Sequence, residues 1–370
     1  MTAWIEGPLG SFIELKRGYD LPTQDRVPGP YPVVSSSGPS GWSNRPKVTA
    51  PGVVTGRYGT LGAVFYVKDD FWPLNTTLYV RDFKGNDPRF VSYFLRTFDF
   101  TAYSDKAAVP GVNRNALHES RVSFPPLLEQ RAIAGVLGAL DDKIDLNRRM
   151  NETLEALAQL RFDSVPRSSS LPLDEVVTLV RETIDPGSAP DERFEHFSIP
   201  AFDDGQMPVV ESGSAIKSGK LAVPTGAVLL SKLNPRIPRV WLPDLPGAHR
   251  PICSTEFLVA LPTERSSREF LYCLFRSPTF VDDFSGRVAG TSGSHQRVTA
   301  ADALAIRAAV PDPTALAELT AALRPLFDRI AANRRESRTL AELRDALLPK
   351  LISGELRVRD AEAAVDSAKS

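Results

Sequence analysis

The sequence predicts a mixed α/β (α+β) fold in which two strand-rich globular domains are joined by two long antiparallel coiled-coil helices. A helical pattern that begins at Pro125 returns after an interval of 186 residues, so that Asn147 corresponds to Asn333. Each copy follows a segment of β-branched and aromatic runs interrupted by glycine and proline, which is typical of strands joined by tight loops. A repeat of this kind indicates a tandem duplication with pseudo-two-fold symmetry.

Breaks in the strand and helix patterns divide the chain into five segments. A length of 370 residues suffices for two domains of roughly 100–200 residues each. We expect a first domain, a first spacer helix, a second domain, a second spacer helix and a flexible tail. Their predicted bounds are 1–124, 125–165, 166–311, 312–354 and 355–370. The tail is assigned as flexible because it is terminal and rich in alanine and acidic residues.

The two long helices each carry a single narrow apolar stripe, with residues spaced by three and four. A stripe of this width needs a partner, and the other copy is the natural one. In an antiparallel pair the midpoints meet, so Asn147 is expected beside Asn333, where a buried Asn would set the register. The alternative is that each Asn faces solvent or another subunit. The predicted pairing residues are Leu140, Ile144, Asn147, Leu154, Leu326, Ile330, Asn333 and Leu340.

Composition indicates a reduced, cytoplasmic protein with no membrane association. No apolar run approaches the ~20 residues that span a bilayer, and the N-terminus lacks the features of a signal peptide. Cys253 and Cys273 are the two cysteines of the chain, too few for a disulfide framework and without metal-ligand spacing. The net charge of −1 predicts no overall attraction to nucleic acid.

Several motifs together resemble one known family. The first is the helix from Pro125 to Leu154, with Asp141-Asp142 at its centre. Further matching stretches are Lys16–Tyr19, Tyr31–Gly38, Gly56–Thr60, Phe71–Pro73, Asn75–Thr77 and Leu347–Gly354. This combination resembles the specificity (S) subunit of type I restriction–modification systems, and it covers nearly the whole chain.

The resemblance implies a non-catalytic subunit that binds double-stranded DNA. Its two target-recognition domains would each read one half of a split, asymmetric site, and its helices would fix the unread spacer. Two methyltransferase (M) subunits would dock on the helices and modify adenines, and restriction (R) subunits would join the larger complex. No cofactor is expected on this chain, whereas the M subunit would use S-adenosylmethionine. The expected dock is the outer helix face that carries Arg148, Arg149 and Glu152.

One departure from the family pattern concerns the start of the second helix. Glu129 and Gln130 belong to the signature of the first helix, but Ala315 and Leu316 stand at the equivalent positions of the second. Equal docking of M subunits on both helices is therefore less strongly implied.

The candidate DNA contacts are arginine, asparagine and hydroxyl residues in loops, because these side chains pair with base edges and phosphates. Each of them could instead be an ordinary surface or structural residue. In the first domain they are Arg17, Tyr19, Ser36, Arg57, Tyr58, Asn75, Thr76 and Arg114; in the second they are Lys217, Lys232, Asn234, Arg236, Arg239, Ser294, His295 and Arg297. With Lys220 and Arg250, the basic residues between 217 and 250 form either a phosphate-facing strip or a solvated basic face.

Catalytic motifs are incomplete in this sequence. Asn234-Pro235 is followed by Arg236 rather than by the Pro-Tyr of an adenine methyltransferase motif, and the segment from Gly213 to Lys220 lacks the Ser or Thr of a phosphate loop. Asp141 and Asp142 are interpreted as a solvated helix face. The remaining alternatives are a coiled-coil adaptor that does not bind DNA and the recognition part of a fused restriction–methylation enzyme.

Overall fold

The computed structural model describes residues 4–103, 111–245, 247–288 and 296–369. The chain forms two compact units, which divide both long helices between them. Unit 1 comprises Met1–Leu146 and Glu336–Ser370, and unit 2 comprises Asn147–Arg335. The sequence-based partition treats each long helix as a separate segment, whereas each helix contributes one part to each unit.

Unit 1 contains three sheets and several helices. Its strands are β1 (Ile5–Pro8), β2 (Glu14–Arg17), β3 (Tyr31–Ser35), β4 (Gly38–Ser43), β5 (Gly52–Gly56), β6 (Val64–Val67), β7 (Trp72–Pro73), β8 (Thr77–Asp82) and β9 (Arg121–Phe124). Its helices up to the long one are α1 (Leu9–Phe12), α2 (Pro88–Arg96) and α3 (Arg114–Glu119), and the long helix α4 (Leu127–Ser164) begins here. The main sheet is antiparallel with the order β2-β8-β5-β6, and the others are β4-β3-β7 and β1-β9.

Unit 2 repeats this arrangement with a larger second sheet. Its strands are β10 (Ser169–Pro172), β11 (Val177–Val180), β12 (Thr183–Ile184), β13 (Arg193–Phe197), β14 (Val209–Ser212), β15 (Lys220–Ala222), β16 (Val228–Ser231), β17 (Val240–Trp241), β18 (Arg250–Cys253), β19 (Phe257–Pro262) and β20 (Arg307–Val310). Its helices are α5 (Ile199–Asp203), α6 (Arg268–Arg276), α7 (Pro278–Gly286) and α8 (Ala300–Leu304), followed by the long helix α9 (Pro313–Ser353). The chain ends with α10 (Val358–Lys369), which belongs to unit 1.

The strand order confirms the duplication. The main sheet of unit 2 is β11-β19-β16-β17, antiparallel throughout, and matches β2-β8-β5-β6 strand for strand. In the second sheets, β3 pairs in parallel with β7 as β13 pairs with β18. Unit 2 extends its second sheet to five strands in the order β12-β15-β18-β13-β14.

Aromatic packing builds the core of unit 1 on the buried side of α2. The Phe124 ring stacks on Phe12 at 4.5 Å and meets Phe90 at 5.4 Å and Phe94 at 4.7 Å between ring centroids. Asp87 caps α2 by accepting a hydrogen bond from Phe90 N at 2.9 Å, which satisfies an N–H group that the helix leaves unpaired. The core thereby fixes α2 against the sheet that carries the loops described below.

Both long helices contribute to the core of each unit. In unit 1 they run antiparallel, because Asp141 pairs with Arg344 at 2.7 Å and Lys143 pairs with Glu336 at 3.2 Å. The side chains of Leu140 and Leu340 are buried in the core of unit 1, and Ile144 packs against it. In unit 2, Ile330 is buried in the core, with Leu154 and Leu326 packed against it.

Asn147 and Asn333 lie together inside unit 2, and both are 0% exposed. The Asn147 side-chain amide donates to the Asn333 carbonyl at 3.4 Å, and the Asn333 amide donates to Asn151 Oδ1 at 2.8 Å. The structure thus brings the two asparagines into contact across the helix pair, as the antiparallel arrangement requires. A polar contact here fixes one register, because a shifted pairing would bury these amides without partners.

The C-terminal tail differs from the sequence-based expectation of a flexible segment. Residues Val358–Lys369 form α10, in which Ala361 is 0% and Val365 8% exposed. These residues are spaced by four and present one apolar face to the core of unit 1. The alanine-rich composition that suggested flexibility instead supports a helix.

The interpretation of Asp141 and Asp142 as a solvated face was wrong for Asp141, whose side chain is 22% exposed, whereas Asp142 is exposed at 48% but paired. Asp141 accepts from the Tyr93 hydroxyl at 2.6 Å and pairs with Arg96 and Arg344. Burial alone would raise the pKa of Asp141, but the Tyr93 hydrogen bond and the two arginines lower it overall. Asp142 pairs with Arg89 at 2.8 Å and with Lys68 at 3.0 Å. These carboxylates connect α4 to α2, to α9 and to Lys68, which follows β6.

We expect replacement of both central asparagines by leucine to raise stability and weaken register control. Asn147→Leu with Asn333→Leu removes buried amides that cost stability but specify the pairing. Thermal unfolding should shift upwards, and light scattering should detect additional association states. Ile330→Leu, a volume-conserving change on the same seam, should leave association unchanged. An unaltered melting temperature and association state in the double variant would contradict a register role.

Acid should destabilise unit 1 partly through Asp142. The hydrogen bond from Arg89 lowers the pKa of Asp142 to about 2, below the ordinary value of about 3.9. The stabilising contribution of this carboxylate is therefore present above about pH 4 and is lost as pH falls towards 2. Urea unfolding across this range should show a shallower pH dependence for Asp142→Asn than for wild type. The exposed Asp69→Asn serves as the control, and an identical slope in all three proteins would contradict the assignment.

Candidate nucleic-acid interface

Unit 1 has an open cleft of ≈ 350 Å³ lined by three arginines. Arg17 stands at the end of β2, Arg57 follows β5, and Arg114 begins α3. The other lining residues are Tyr58, Leu78, Gly111, Val112, Asn113 and Asn115. Within the described part of the chain, no carboxylate lines this cleft, so its local charge is positive despite the net charge of −1 for the whole chain.

Backbone hydrogen bonds hold the floor of the cleft. The amide groups of Arg57 and Tyr58 both donate to the Thr76 carbonyl, at 2.9 Å and 3.2 Å. Val112 N donates to the Arg57 carbonyl at 3.0 Å, and Gly111 bridges to Tyr58. A Cβ at Gly111 would lie 2.2 Å from Tyr58 Cε1, so glycine is required for this close approach.

The side chains of the cleft combine cations, amides and an aromatic face. The Arg57 guanidinium lies 4.4 Å from the centroid of the Tyr58 ring, and Tyr58 is 38% exposed. Arg114 donates to Asn115 Oδ1 at 3.1 Å. Arginine forks pair with guanine edges or with phosphate, and asparagine pairs with adenine. This set of side chains therefore suits a polyanion that also presents hydrogen-bonding edges.

The side chains of the other predicted contacts in unit 1 do not line the cleft, and these residues make structural contacts. The Tyr19 and Tyr79 hydroxyls are 3.0 Å apart, and the hydrogen bond with Tyr79 lowers the pKa of Tyr19. Asn75 donates to Asp20. Thr76 contributes its carbonyl to the floor of the cleft, and Ser36 packs beside the turn that begins at Gly56.

Unit 2 builds the same backbone frame with different side chains. Lys232 N donates to the Glu256 carbonyl at 2.8 Å, and Val298 N donates to the Lys232 carbonyl at 3.2 Å. Lys232 therefore takes the place of Arg57, and Glu256 takes the place of Thr76. Arg297 bridges to Leu233 as Gly111 bridges to Tyr58.

The predicted contacts of unit 2 have different surroundings. Lys217 and Arg236 are exposed, Lys232 is half-buried, and Asn234 adopts a positive φ of 49° in the loop after β16. The Arg297 guanidinium makes a two-pronged ion pair with Glu256, and the hydrogen bonds that it donates to this carboxylate raise the pKa of Arg297. Ser294 and His295 lie outside the described residues.

Arg239 is a structural residue, contrary to its prediction as a DNA contact. Its Nε and Nη2 donate to the two carboxylate oxygens of Asp203 at 2.7 Å and 2.8 Å, and its side chain is 11% exposed. The basic strip likewise does not form as a continuous surface. Lys220 is 6% exposed and donates to Ser218, and Arg250 faces Glu182 at 3.7 Å.

The described residues contain neither a metal-binding cluster nor a membrane-spanning helix. No group of three or more His, Cys, Asp or Glu side chains there could hold a metal ion. None of the helices combines the length and apolar character needed to cross a bilayer. Cys253 and Cys273 are buried free thiols, and burial raises the pKa of each to about 12.

Comparison with known proteins identifies a family that the cleft-bearing part of the chain resembles. Residues 1–156, which include every residue of the cleft, match the type I restriction modification DNA specificity domain. Over these residues the chain is similar to the type I specificity subunits. The MjaIX specificity subunit of Methanocaldococcus jannaschii is 23% identical over 327 residues, covering 78% of this chain and 74% of that protein. The resemblance inferred from the sequence motifs is thereby confirmed.

A solved specificity subunit supports the fold. The crystal structure of the type I restriction–modification S subunit from M. genitalium matches with a TM-score of 0.59 at 16% identity. The match covers 94% of this chain and 96% of that chain. Two strand-rich units built with long paired helices are therefore an arrangement that this specificity subunit shares.

Arg181 is a further candidate DNA contact, which the sequence motifs did not single out and the shared frame identifies. Arg17 lies opposite Leu78, two residues after Thr76. Val180 lies opposite Val259, three residues after Glu256, so Arg181 occupies the position of Arg17. Arg181 is exposed. The matching openings of the two domains, in which Leu15 and Arg17 correspond to Leu179 and Arg181, were the available signal.

The contact between Gly111 and Tyr58 can be tested by a double-mutant cycle. Gly111→Ala should lower the unfolding free energy by about 1–3 kcal/mol, because the new methyl group collides with the Tyr58 ring. In a Tyr58→Ala background the same change should cost much less. Gly135→Ala, at a helical position with nothing within 4 Å, should instead stabilise the protein. Equal costs of Gly111→Ala in both backgrounds would contradict the contact.

Proposed function

We propose that the chain recognises a DNA sequence as the specificity subunit of a type I restriction–modification complex. The observation that carries this proposal is the cleft of unit 1. It joins Arg17, Arg57 and Arg114 beside an exposed aromatic ring, without a lining carboxylate among the described residues. Three arginines in one cleft can bind the phosphates of a DNA backbone. The paired N–H groups of an arginine can also hydrogen-bond to the edge of a guanine.

The duplication supports a split target. Each unit offers one loop frame of the same backbone design, and the side chains at equivalent positions differ between the units. Arg57 corresponds to Lys232, and Thr76 corresponds to Glu256. Two frames with unlike side chains suit two unlike half-sites, and the paired helices α4 and α9 would determine the unread spacer.

Partner docking is proposed for a face of α4 that carries exposed leucines, whereas the sequence-based expectation was the face of Arg148, Arg149 and Glu152. In unit 1 this helix exposes Leu128 (82%) and Leu146 (47%), which are five helical turns apart and share one direction. In unit 2 it exposes Leu157 (39%) and Leu160 (68%). Among the described residues of α9, no large apolar side chain is as exposed. We therefore infer that α4 offers the better dock for a methyltransferase subunit.

The replacement of Gln130 by Leu316 at the start of the second helix is explained by the structural role of this position in each unit. Gln130 is 2% exposed, donates to Asn86 Oδ1 at 2.7 Å, and accepts from Asp87 N at 2.9 Å. Its counterpart Leu316 is 8% exposed and packs in the core of unit 2. A buried polar residue in unit 1 thus corresponds to a buried apolar residue in unit 2. Because Leu316 is explained by packing in the core, it is not evidence against a partner on α9.

The complete assembly would contain two methyltransferase subunits and restriction subunits, positioned on DNA in the cytoplasm. The present chain would contribute recognition and no catalytic group of its own. S-adenosylmethionine would be held by the methyltransferase subunits. The rival interpretation is a coiled-coil adaptor that does not bind DNA, which the net charge of −1 favours.

The proposal is tested with the chain assembled with the methyltransferase of its own system. Sequencing of methylated adenines should yield a split motif, and affinity for that DNA should fall steeply as salt rises. Arg57→Ala should weaken discrimination within one half-site by roughly 5- to 150-fold, the effect of one lost arginine–guanine pair. Arg121→Ala, an exposed arginine outside the cleft, should have no such effect.

Absence of a defined motif together with salt-independent behaviour would support the adaptor instead. A defined motif that Arg57→Ala leaves unchanged in affinity and base preference would remove the cleft from the recognition surface.

A further inference from the structure

Glu256 and Arg297 are the two positions at which the frame of unit 2 departs most from that of unit 1. Their counterparts, Thr76 and Gly111, are small and uncharged. Two hydrogen bonds of the frame are common to both units, because Lys232 N donates to the Glu256 carbonyl and Val298 N to the Lys232 carbonyl as their counterparts do in unit 1. The changes therefore add a carboxylate and a guanidinium to a similar backbone frame, in the place where unit 1 has its arginine-lined cleft.

The ion pair uses one edge of the arginine. Arg297 Nε lies 2.8 Å from Glu256 Oε2, and its Nη2 lies 3.0 Å from Oε1. Five N–H groups surround a guanidinium, and this pairing leaves the Nη1 hydrogens and one Nη2 hydrogen directed away from the carboxylate. These are the donors of an end-on fork, which matches the O6 and N7 acceptors of guanine.

Exposure distinguishes this pair from the other two-pronged arginine of unit 2. The Arg239 side chain is 11% exposed, and its Nη1 atom is buried. The Arg297 side chain is 46% exposed, whereas Glu256 is 27% exposed. The same salt-bridge geometry thus locks Arg239 into the protein and leaves Arg297 with one edge open to solvent.

We propose that Arg297 reads a guanine in the half-site bound by unit 2, and that Glu256 is its positioning residue. This inference rests on the proposed function and adds a base identity to it. A free arginine side chain loses substantial rotamer freedom when it binds. The carboxylate of Glu256 restricts that freedom in advance and orients the open edge. It also repels phosphate, so the site favours a base edge over the backbone.

The experiment compares variants of the assembled methyltransferase complex on a library of duplexes with every single-base change in both half-sites. Arg297→Ala should reduce discrimination at one guanine by roughly 5- to 150-fold. Arg297→Lys keeps the charge but loses the planar fork, so it should show the same loss in a folded protein. Glu256→Gln should give a partial loss at the same base only. The half-site that Arg57→Ala affects should remain unchanged.

Glu182→Gln serves as the matched control, because Glu182 faces Arg250 in an exposed ion pair of the same unit. It should leave every base preference unchanged. A uniform loss of affinity over all sequences in Arg297→Ala and Arg297→Lys would identify a phosphate contact and overturn the assignment. Unchanged preferences in both variants would overturn it as well.

The control for the underlying function is the wild-type complex. If wild type selects no motif, the proposed function fails. If wild type selects a motif and the Arg297 variants keep it, the guanine assignment alone fails. A Glu256→Gln variant that matches wild type at the affected base would remove the positioning role while leaving Arg297 as the reader.

Discussion

The pairing of α4 with α9 is the interaction on which both units depend. Neither unit completes its core without side chains from both helices: Leu140 and Leu340 are buried in unit 1, and Phe162 and Ile330 in unit 2. The asparagine contact and the ion pair of Asp141 with Arg344 add direction and register to this apolar association. Since apolar packing alone tolerates sliding, the polar contacts determine the register of the two helices within each unit.

Local charge, rather than total charge, decides where a polyanion can bind. The chain is almost neutral because its carboxylates and cations are nearly equal in number. Many of these carboxylates are committed to arginines, as Asp203 is to Arg239 and Asp141 to Arg344. The cleft of unit 1 has no lining carboxylate within the described chain and so remains cationic. Neutrality of the whole chain therefore does not exclude a nucleic-acid partner.

Periodicity and turn residues were enough to predict the duplicated architecture, because both are local properties. The helical stripe from Pro125 became α4. Partners distant in sequence could not be predicted. The sequence could not show that Arg239 pairs with Asp203. It also could not show that Asp141 accepts a hydrogen bond from Tyr93 and Asp142 one from Arg89. Loop membership likewise could not show that Arg57 and Arg114 share one cleft while Asn75 does not.

The order of the units along the chain has a consequence during synthesis. Unit 2 is continuous from Asn147 to Arg335, whereas unit 1 needs the last segment, Glu336–Ser370, for its core. At ~5–20 residues per second, a ribosome needs about 2 to 7 s to make that segment after unit 2 is complete. During this interval the face of α4 that carries Leu137 and Leu140 lacks its partner. The core of unit 1, which is translated first, is therefore completed last, and its apolar face on α4 stays open to aggregation or chaperone binding until then.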